Sequence, residues 1–578
     1  MEHDTNRDQL TGLLTMSSFA DYAHDILDQC EADGTQPHFV YFNVSNLKVY
    51  NNRFGFEGGD ELLKFAAHTI KESFDHALAS RFGDDRFVLL TYGDDLYEGI
   101  ERVHEAVRTF NPESVTEISA GVYDYEPGVE VSAACDRAKL ACDYLNGRYD
   151  RYYHVYDDSL LADRNRRQAV LDRFYSAIEE GHIQAYYQPI VRSIGNGVCG
   201  CEALARWIDP ALGMISPAEF IPVLEESRLI HHLDLCIVDR VCHDYLALAE
   251  AGLSPIPTNV NLSRYDMELC DIVAEVQKRL DKHGVPHDMV NIEVTESAFA
   301  HNQQLLHETI DRFHAIGMQV WIDDFGAGYS SLNVIREFDF DVVKIDLGFM
   351  RHSNEQSLER SRIMLPHLVN MSKELGMQTL AEGVETMDQF EFLKSVGCEK
   401  VQGYAFAKPM SFEDAREKLA ASENVEDSRS RVYYDNIGAV NLMRPHTIDT
   451  NMSREMGIAS GLPAAIVEFY DGKIRYLLWN DSYVDYLVDI GMNSIENSEK
   501  QMNDLTRPQS QGFFAASEKG KETGDWLHLM FYEGEDLCTG MARLIDIDEA
   551  TGAFSYVYIA FNVGRYLKRA GYEPPKQA

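Results

Sequence analysis

Four short apolar runs that end in acidic side chains decide the fold: VNIEVTE (290–296), QVWIDDFG (319–326), VVKID (342–346) and QTLAEGVE (378–385). Each run has the length and the β-branched content of a buried strand, and helix-length stretches separate them. Surface carboxylates do not usually terminate apolar strands. The pattern therefore predicts acidic groups that converge at one end of a parallel sheet.

The same pattern extends over residues 165–422. Polar side chains end successive candidate strands at Glu202, Asn261, Glu293, Asp323 with Asp324, Asp346, Glu382 and Gln402. Their spacing averages about 33 residues, close to one strand–helix unit of a (β/α)₈ barrel of roughly 250 residues. Such barrels carry their functional groups at the C-terminal ends of the strands. We therefore predict a modified TIM-type (β/α)₈ barrel with one site at its mouth.

The residue types at this mouth indicate a metal site. Alternation along a strand places Lys344 and Asp346 on one face, and a lysine inside a barrel is costly unless it is paired or serves a ligand. Asp323 and Asp324 are adjacent carboxylates that could serve two different cations. Hard oxygen ligands without His or Cys indicate Mg²⁺ or Mn²⁺ rather than zinc. Carboxylates shared by two metals recur in phosphodiester hydrolysis.

Composition excludes several classes of protein. The 578 residues include 52 Lys and Arg against 94 Asp and Glu, which gives a net charge of −42. This balance argues against binding of nucleic-acid polymers or anionic membranes, although a bound metal could still attract a small anion. The sequence shows neither a signal peptide nor an apolar run long enough for membrane insertion. With ten dispersed cysteines, we expect a cytoplasmic protein with reduced thiols.

Eight blocks in order resemble the EAL family of cyclic-di-GMP phosphodiesterases over residues 165–422. The blocks are YYQPIV (186–191), EALARW (202–207), NLS (261–263), EVTES (293–297), DDFGAGYSSL (323–332), KID (344–346), AEGVET (381–386) and QGYAFAKP (402–409). The resemblance implies a modified TIM-type barrel that cleaves the cyclic dinucleotide to linear pGpG with two Mg²⁺ or Mn²⁺ ions.

The resemblance also implies a role for each matching residue. The implied metal ligands are Glu202, Asn261, Glu293, Asp323, Asp324 and Asp346. Glu382 matches the metal-linked general base, Lys344 a group that orients the attacking water, and Glu296 a glutamate that holds a dimer-linked loop near the metals. The implied substrate-binding positions are Gln188 at a guanine, Leu204, Arg206 at a phosphate, and Glu385 and Gln402 beside the metals.

Residues 1–156 resemble a GGDEF diguanylate-cyclase domain of the α/β, palm-type class through DQLTGLLT (8–15), NVSNLKVYNNRFGFEGGDELL (43–63) and RFGDDRF (81–87). The signature is altered: Asp84 replaces a glycine, Arg86 the glutamate, and Asn43 a metal-binding aspartate. Asp143 stands where the family has a phosphate-binding lysine. These changes predict that cyclisation is lost.

Asn51 and Asp60 match the family's guanine-reading pair in this degenerate domain. One interpretation is that the domain binds GTP without turnover and regulates the barrel as an allosteric site. The other is that both residues are fold remnants, because Asn in a turn and Asp at a helix start are ordinary choices.

The remaining chain is predicted to form a linker, residues 423–454, and a PAS-like α+β domain, residues 455–570. A strand before Asp471-Gly472, a second strand after it, and a closing hairpin around 548–552 indicate this class. The domain could be a dimerisation module or a ligand sensor, and we expect a homodimer.

The sequence therefore predicts a cyclic-di-GMP phosphodiesterase with a catalytically inactive cyclase-like domain. Two alternatives stay open. One is a cyclic-di-GMP receptor that signals by conformation with little turnover. The other is a bifunctional enzyme that also synthesises the dinucleotide, against which Asn43 and Arg86 argue.

Overall fold

The computed structural model describes residues 6–93, 95–114, 116–146, 150–300, 302–326, 331–348, 355–422, 425–442, 462–533 and 536–562. The chain divides into two units, Met1–Asp172 and Arg173–Ala578. The helices of the described part of the chain are all too short or too polar to cross a lipid bilayer.

The first unit is a five-stranded sheet with helices on both faces. Its elements are α1 Met16–Asp33, β1 Pro37–Val44, α2 Leu47–Glu72, β2 Ala77–Gly83, β3 Arg86–Tyr92, α3 Leu96–Phe110, β4 Ile118–Asp124, α4 Val131–Asp143 and β5 Tyr153–Val155. The strand order is β2-β3-β1-β4-β5. The central strand β1 is apolar on both faces, with Val40 and Phe42 in one buried cluster and Phe39 and Tyr41 in another. The predicted α/β class of this unit is confirmed.

A helix, α5 Asp158–Glu179, follows this sheet and runs across the division between the units. It occupies the gap between residues 156 and 165 that separates the first two predicted domains. Residues 158–165, between the first two predicted domains, are therefore helical.

The second unit begins with the barrel. Its elements are β6 Ile183–Arg192, β7 Val198–Asp209, β8 Gly213–Ile215, α6 Pro217–Glu226, α7 Ile230–Glu250, β9 Thr258–Leu262, α8 Arg264–Leu269, α9 Ile272–His283, β10 Val290–Thr295, α10 Gln303–Ala315, β11 Val320–Phe325, α11 Ser331–Glu337, β12 Val342–Asp346, α12 Glu355–Glu374, β13 Gln378–Glu382, α13 Met387–Ser395, β14 Lys400–Gln402 and α14 Phe412–Ala421. Strand β6 pairs antiparallel with both β7 and β14 and closes the barrel. The short strand β8 extends the sheet by an antiparallel pairing with β7, and the remaining pairings are parallel. The predicted modified (β/α)₈ barrel is confirmed.

Alternation along the strands places an apolar layer beneath the polar mouth of the barrel. Ile190, Trp321, Val342 and Leu380 pack together in one buried cluster. Two residues away on the same strands, and so on the same face, lie Gln188, Asp323, Lys344 and Glu382. The apolar layer supports the polar groups from below.

The second unit ends in an antiparallel sheet. Its elements are α15 Arg431–Gly438, β15 Ala464–Tyr470, β16 Lys473–Trp479, α16 Asp481–Asp489, α17 Ile495–Met502, α18 Pro508–Thr523, β17 Leu527–Glu533, β18 Asp536–Ile547 and β19 Phe554–Asn562. The strand order is β16-β15-β19-β18-β17, and all pairings are antiparallel. Asp471 and Gly472 both have positive φ, 49° and 68°, as a tight two-residue hairpin turn requires.

Helix α15 lies within the predicted linker 423–454 and is packed rather than free. Tyr433 and Ile437 share a buried cluster with Ile194 of the barrel and with Ala464 and Val557 of the C-terminal sheet. Residues 423–424 and 443–454 of the predicted linker lie outside the described residues.

A buried ion network joins α15 to the floor of the barrel. Arg192 Nε lies 2.5 Å from Glu426 Oε2, and Arg192 Nη1 lies 3.0 Å from Asp435 Oδ1. Lys400 Nζ lies 3.7 Å from Asp435 Oδ1. Nearby, Lys373 Nζ lies 3.3 Å from Glu399 Oε1 and also donates to the Gly438 carbonyl at 2.6 Å. We call this set of six side chains, Arg192, Lys373, Glu399, Lys400, Glu426 and Asp435, the floor network.

Candidate active site

Lys344 of β12 lies at the centre of the barrel mouth and is 1% exposed. Its Nζ atom approaches one carboxylate oxygen from each of four other strands: 3.4 Å to Glu202 Oε2, 2.5 Å to Glu293 Oε2, 3.1 Å to Asp323 Oδ1 and 2.5 Å to Glu382 Oε1. We call these five side chains the mouth cluster. One cation faces four acids here, so acidic groups outnumber the cation in the cluster.

Amide side chains hold Glu202 from two sides. Asn261 Nδ2 donates to Glu202 Oε1 at 2.8 Å, and Gln402 Nε2 donates to Glu202 Oε2 at 2.8 Å. Gln402 Nε2 also lies 3.1 Å from Gln188 Oε1, and Gln188 Nε2 donates to the Ala407 carbonyl at 3.1 Å. The structure therefore brings the amides predicted at the mouth into contact with a predicted metal ligand.

Asp323 and Asp324 are separated by an irregularity in β11. The register of β11 against β12 shifts between Ile322 and Phe325, and Asp324 has a φ of 56°. Such a bulge turns consecutive side chains in new directions, which lets adjacent carboxylates reach different places. Asp346 ends β12, and its Oδ1 accepts the Gly348 backbone N–H at 2.6 Å.

The charge imbalance shifts the pKa values of the cluster. Burial and the neighbouring Glu202 raise the pKa of Glu293 well above its usual value. Burial likewise raises the pKa of Glu382, and the charges of Asp323 and Glu202 add to the effect. Burial alone would lower the pKa of Lys344, but the surrounding carboxylates hold it well above the usual lysine value. The lysine is therefore charged, and it does not neutralise the cluster.

The donor set fits a divalent cation. Glu202, Glu293 and Asp323 each offer one carboxylate oxygen, and these oxygens lie within 4.8 Å of one another. A cation that binds between closely spaced carboxylates relieves their mutual repulsion. Hard oxygen donors of this kind suit Mg²⁺ or Mn²⁺.

Other predicted site residues lie further from this cluster along their elements. Arg206 is half-buried on β7, donates to the Ala205 carbonyl at 2.9 Å and lies 5.9 Å from the Tyr186 ring. Leu204 is half-buried on the same strand. Glu296 is 9% exposed and begins the 3₁₀ turn after β10, and Glu385 is exposed after β13. Residues 327–330 of the DDFGAGYSSL block lie outside the described residues.

Two buried amides of the barrel interior were missed by the sequence reasoning. Asn259 Nδ2 donates to Glu293 Oε1 at 2.6 Å, and Asn291 Nδ2 donates to Asn259 Oδ1 at 2.8 Å. The signal was present, because Asn259 precedes Asn261 by two residues, and Asn291 precedes Glu293 in the same way. Residues two apart on a strand share a face.

The altered signature of the first unit forms a hairpin between β2 and β3. Arg81 Nη2 donates to the Asp84 carbonyl at 2.6 Å and supports Asp84 in its positive φ of 36°. Arg86 lies directly opposite Asn43 in the β1–β3 register. A cation therefore faces an amide at this position of the sheet.

Asn51 and Asp60 both lie on α2, on either side of a break at Gly55, which has a φ of 81°. Asn51 Oδ1 is buried and, among the described residues, has no hydrogen-bond partner. A Cβ on Gly59 would lie 1.8 Å from this oxygen, so only glycine lets the amide approach the helix this closely. Asp60 is exposed.

Comparison with known proteins identifies both of these regions. A family model described as "EAL domain" matches residues 171–409, and one described as "Diguanylate cyclase, GGDEF domain" matches residues 5–144. The two matched ranges contain the mouth cluster and the altered hairpin, respectively.

Individual relatives agree with these matches. The chain is 31% identical over 417 residues to an uncharacterized signaling protein of Caulobacter vibrioides, a match that covers 70% of this chain and 50% of that protein. It is 27% identical over 423 residues to the cyclic di-GMP phosphodiesterase NbdA of Pseudomonas aeruginosa, covering 72% of this chain and 54% of NbdA. The chain thus spans about half the length of these curated relatives.

A solved structure of the PaMucR phosphodiesterase in complex with c-di-GMP is 30% identical in sequence. The similarity covers 43% of this chain and 99% of that chain, with a TM-score of 0.40.

Proposed function

Because the chain belongs to the GGDEF–EAL proteins of cyclic-di-GMP signalling, we propose that its barrel hydrolyses cyclic di-GMP to linear pGpG. The observation that carries this proposal is the mouth cluster, in which Lys344 faces four carboxylates from four strands. Acidic excess in a buried cluster is the property expected of a site that binds divalent cations and, through them, a phosphate.

The proposed roles follow from the contacts. Glu202, Asn261, Glu293, Asp323, Asp324 and Asp346 would hold two Mg²⁺ or Mn²⁺ ions. When bound, such ions lower the pKa of water and stabilise the charge of an in-line phosphoryl displacement. The Asn261 and Gln402 amides restrict rotation of the Glu202 carboxylate, which keeps a ligand in place before substrate arrives.

Glu382 is proposed as the general base, since burial and the charges of Asp323 and Glu202 raise its pKa above the usual glutamate value and so make it a stronger base. It would take the proton of the attacking water, whose oxygen bonds to phosphorus as the bond from phosphorus to the leaving 3′ oxygen breaks and that oxygen gains a proton. Lys344 would orient this water.

Substrate contacts are proposed outside the cluster. Gln188 would contact a guanine, and Arg206 would pair with a phosphate. Leu204 and Glu385 would border the substrate, and Glu296 would hold the loop next to the metals. Truncating the Arg206 side chain should mainly weaken substrate binding, because the guanidinium group is not part of the mouth cluster that holds the metals.

Incubation of the full chain with cyclic di-GMP tests the proposed function. We expect linear pGpG by chromatography in the presence of Mg²⁺ or Mn²⁺, no product with EDTA, and recovery on addition of metal. Product formed in excess EDTA would contradict the two-metal mechanism. Tight binding of cyclic di-GMP without turnover would instead identify the chain as a receptor.

For the first unit we propose a nucleotide-binding role without cyclisation. Arg86 and Asn43 stand where cyclisation would need acids to hold metal. Asn51 supports guanine binding, because its Oδ1 has no hydrogen-bond partner among the described residues and the N–H donors of guanine could satisfy it. Calorimetry should detect weak GTP binding that Asn51→Ala removes, and incubation with GTP and Mg²⁺ should yield no cyclic di-GMP. Synthesis of the dinucleotide would show a bifunctional enzyme.

The C-terminal domain is proposed to be PAS-like and to act in dimerisation. Its five-stranded antiparallel sheet and the three helices between β16 and β17 support this assignment. Light scattering of the full chain should give the mass of a dimer.

A further inference from the structure

Two asparagines form a second layer beneath the mouth cluster. Asn259 and Asn291 lie on neighbouring strands, directly opposite each other in the β9–β10 register, and each is 1% exposed. The interior of such barrels is normally filled by branched apolar side chains. Buried amides at these positions are costly unless their hydrogen bonds are used.

The two amides form a directed chain of hydrogen bonds. Asn291 Nδ2 donates to Asn259 Oδ1 at 2.8 Å, and Asn259 Nδ2 donates to Glu293 Oε1 at 2.6 Å. The other carboxylate oxygen, Glu293 Oε2, lies 2.5 Å from Lys344 Nζ. The amide chain therefore ends on one oxygen of Glu293 and leaves the second turned toward the cluster.

We propose that Asn259 and Asn291 are positioning residues that set the metal affinity of the mouth cluster by fixing the rotation of the Glu293 carboxylate. This inference rests on the proposed function, since it needs a divalent cation at Glu293. Hydrogen-bond partners that orient a metal ligand typically contribute 10–100-fold to metal affinity. Asn291 acts only through Asn259, because it orients the Asn259 amide by occupying its Oδ1.

A purely structural role makes a different prediction. If the two amides only fill the barrel interior, their removal should lower the free energy of unfolding and leave metal affinity unchanged. The two roles are therefore separated by measuring Mn²⁺ binding and stability on the same variants.

The test is calorimetric titration of Mn²⁺ into the full chain without substrate. We expect Asn259→Ala to raise the Kd for Mn²⁺ by about 10–100-fold and Asn291→Ala to raise it less. The double variant should match Asn259→Ala alone, because Asn291 has no route to Glu293 once Asn259 is gone. Val260→Ala is the matched control: it removes buried volume from the same strand, on the outward face, and should leave the Kd unchanged.

An unchanged Kd in Asn259→Ala would overturn the inference, and so would an Asn291→Ala effect that persists in full in the double variant. If circular dichroism shows that Asn259→Ala does not fold, Asn259→Leu keeps the approximate size of the side chain and removes the donor without adding charge, so the same loss of affinity is expected. A wild-type chain that binds no Mn²⁺ would overturn the proposed function as well, whereas normal wild-type binding with unaltered variants would overturn only this inference.

Discussion

At the mouth of the barrel one buried cation, Lys344, faces four carboxylates. In the floor network three cations pair with three acids, and Arg431 Nε lies a further 3.9 Å from Asp435 Oδ2. Most charged side chains of both regions are buried, and Asp323, Glu382 and Asp435 are partly exposed. Burial alone would raise the pKa of Asp435 at the floor, but Lys400 and Arg192 hold it below its usual value. At the mouth the pKa of Glu293 is raised instead.

The difference shows how the ratio of buried cations to buried acids relates to the role of a region. In the floor network each acid has at least one cation as a partner. Removing one member lowers the stability of the fold, because its partner stays buried with fewer opposite charges around it. An unbalanced cluster is unfavourable until a ligand completes it. Substitutions at the floor should therefore change stability, and substitutions at the mouth should change metal binding and turnover.

The largest expected effect is on turnover at the mouth. Glu202→Gln should lower the rate of cyclic-di-GMP hydrolysis by about a thousandfold or more, because it removes a carboxylate from the metal-binding group with little change of shape. The matched control is Glu426→Gln in the floor network, which should keep turnover per folded molecule. Comparable losses of turnover in both variants would show that the mouth cluster and the floor network do not differ in function.

The next effect is on stability at the floor. Arg192→Ala should lower the free energy of unfolding by about 3–5 kcal/mol, because it leaves Glu426 buried without its cation and removes the nearest cation of Asp435. Urea titration measures this change. Arg429→Ala removes an exposed ion pair with Asp427 and should have no measurable effect. A floor variant as stable as the wild type would mean that its charges are solvated.

A divalent metal should stabilise the chain only by binding at the mouth cluster. At a concentration one hundred times its Kd, Mn²⁺ should add about 2.7 kcal/mol of stability, seen as a higher Tm. The shift should persist in Glu426→Gln and disappear in Glu202→Gln. A shift of equal size in Glu202→Gln would place the metal elsewhere.

The smallest effect is a pH dependence of opposite sign at the two ends. In EDTA, Glu293→Gln should stabilise the chain by on the order of 1 kcal/mol at neutral pH, because the ionised carboxyl is unfavourable where burial and Glu202 raise its pKa. The gain should shrink as pH falls through the raised pKa of Glu293, since the wild-type carboxyl then becomes neutral.

Asp435 should behave in the opposite way. Its pKa is lowered, so its contribution to stability is present above its usual pKa and is lost only as pH falls below that value. Denaturation curves from pH 8 to pH 3 separate the two windows. A Glu293→Gln gain that does not depend on pH would show that packing, not charge, is responsible.

The barrel and its mouth could be predicted because both depend on local pattern. Strand alternation put Lys344 and Asp346 on one face, and regular spacing put the acids on successive strands. The same rule could have found Asn259 and Asn291, which precede Asn261 and Glu293 by two residues. Isolated amides, however, carry a weaker sequence signal than a run of acids.

The floor network could not be predicted. Arg192 and Glu426 are 234 residues apart, and nothing local marks either as buried. Glu426 lies in a polar run, SENVEDSRSR (422–431), that has the composition of a solvated linker. Its burial is decided by packing of α15 against the barrel, which is a tertiary property.

Strand β14 is only three residues long, yet it carries Lys400 of the floor network at one end and Gln402 of the mouth at the other. Both side chains point inward because they are two residues apart. Inserting one residue on either side of Val401 would reverse one of them, since a shift by one residue moves a side chain to the opposite face of a sheet. The length of β14 is therefore fixed from both ends, and we expect this part of the chain to accept substitutions far more readily than insertions or deletions.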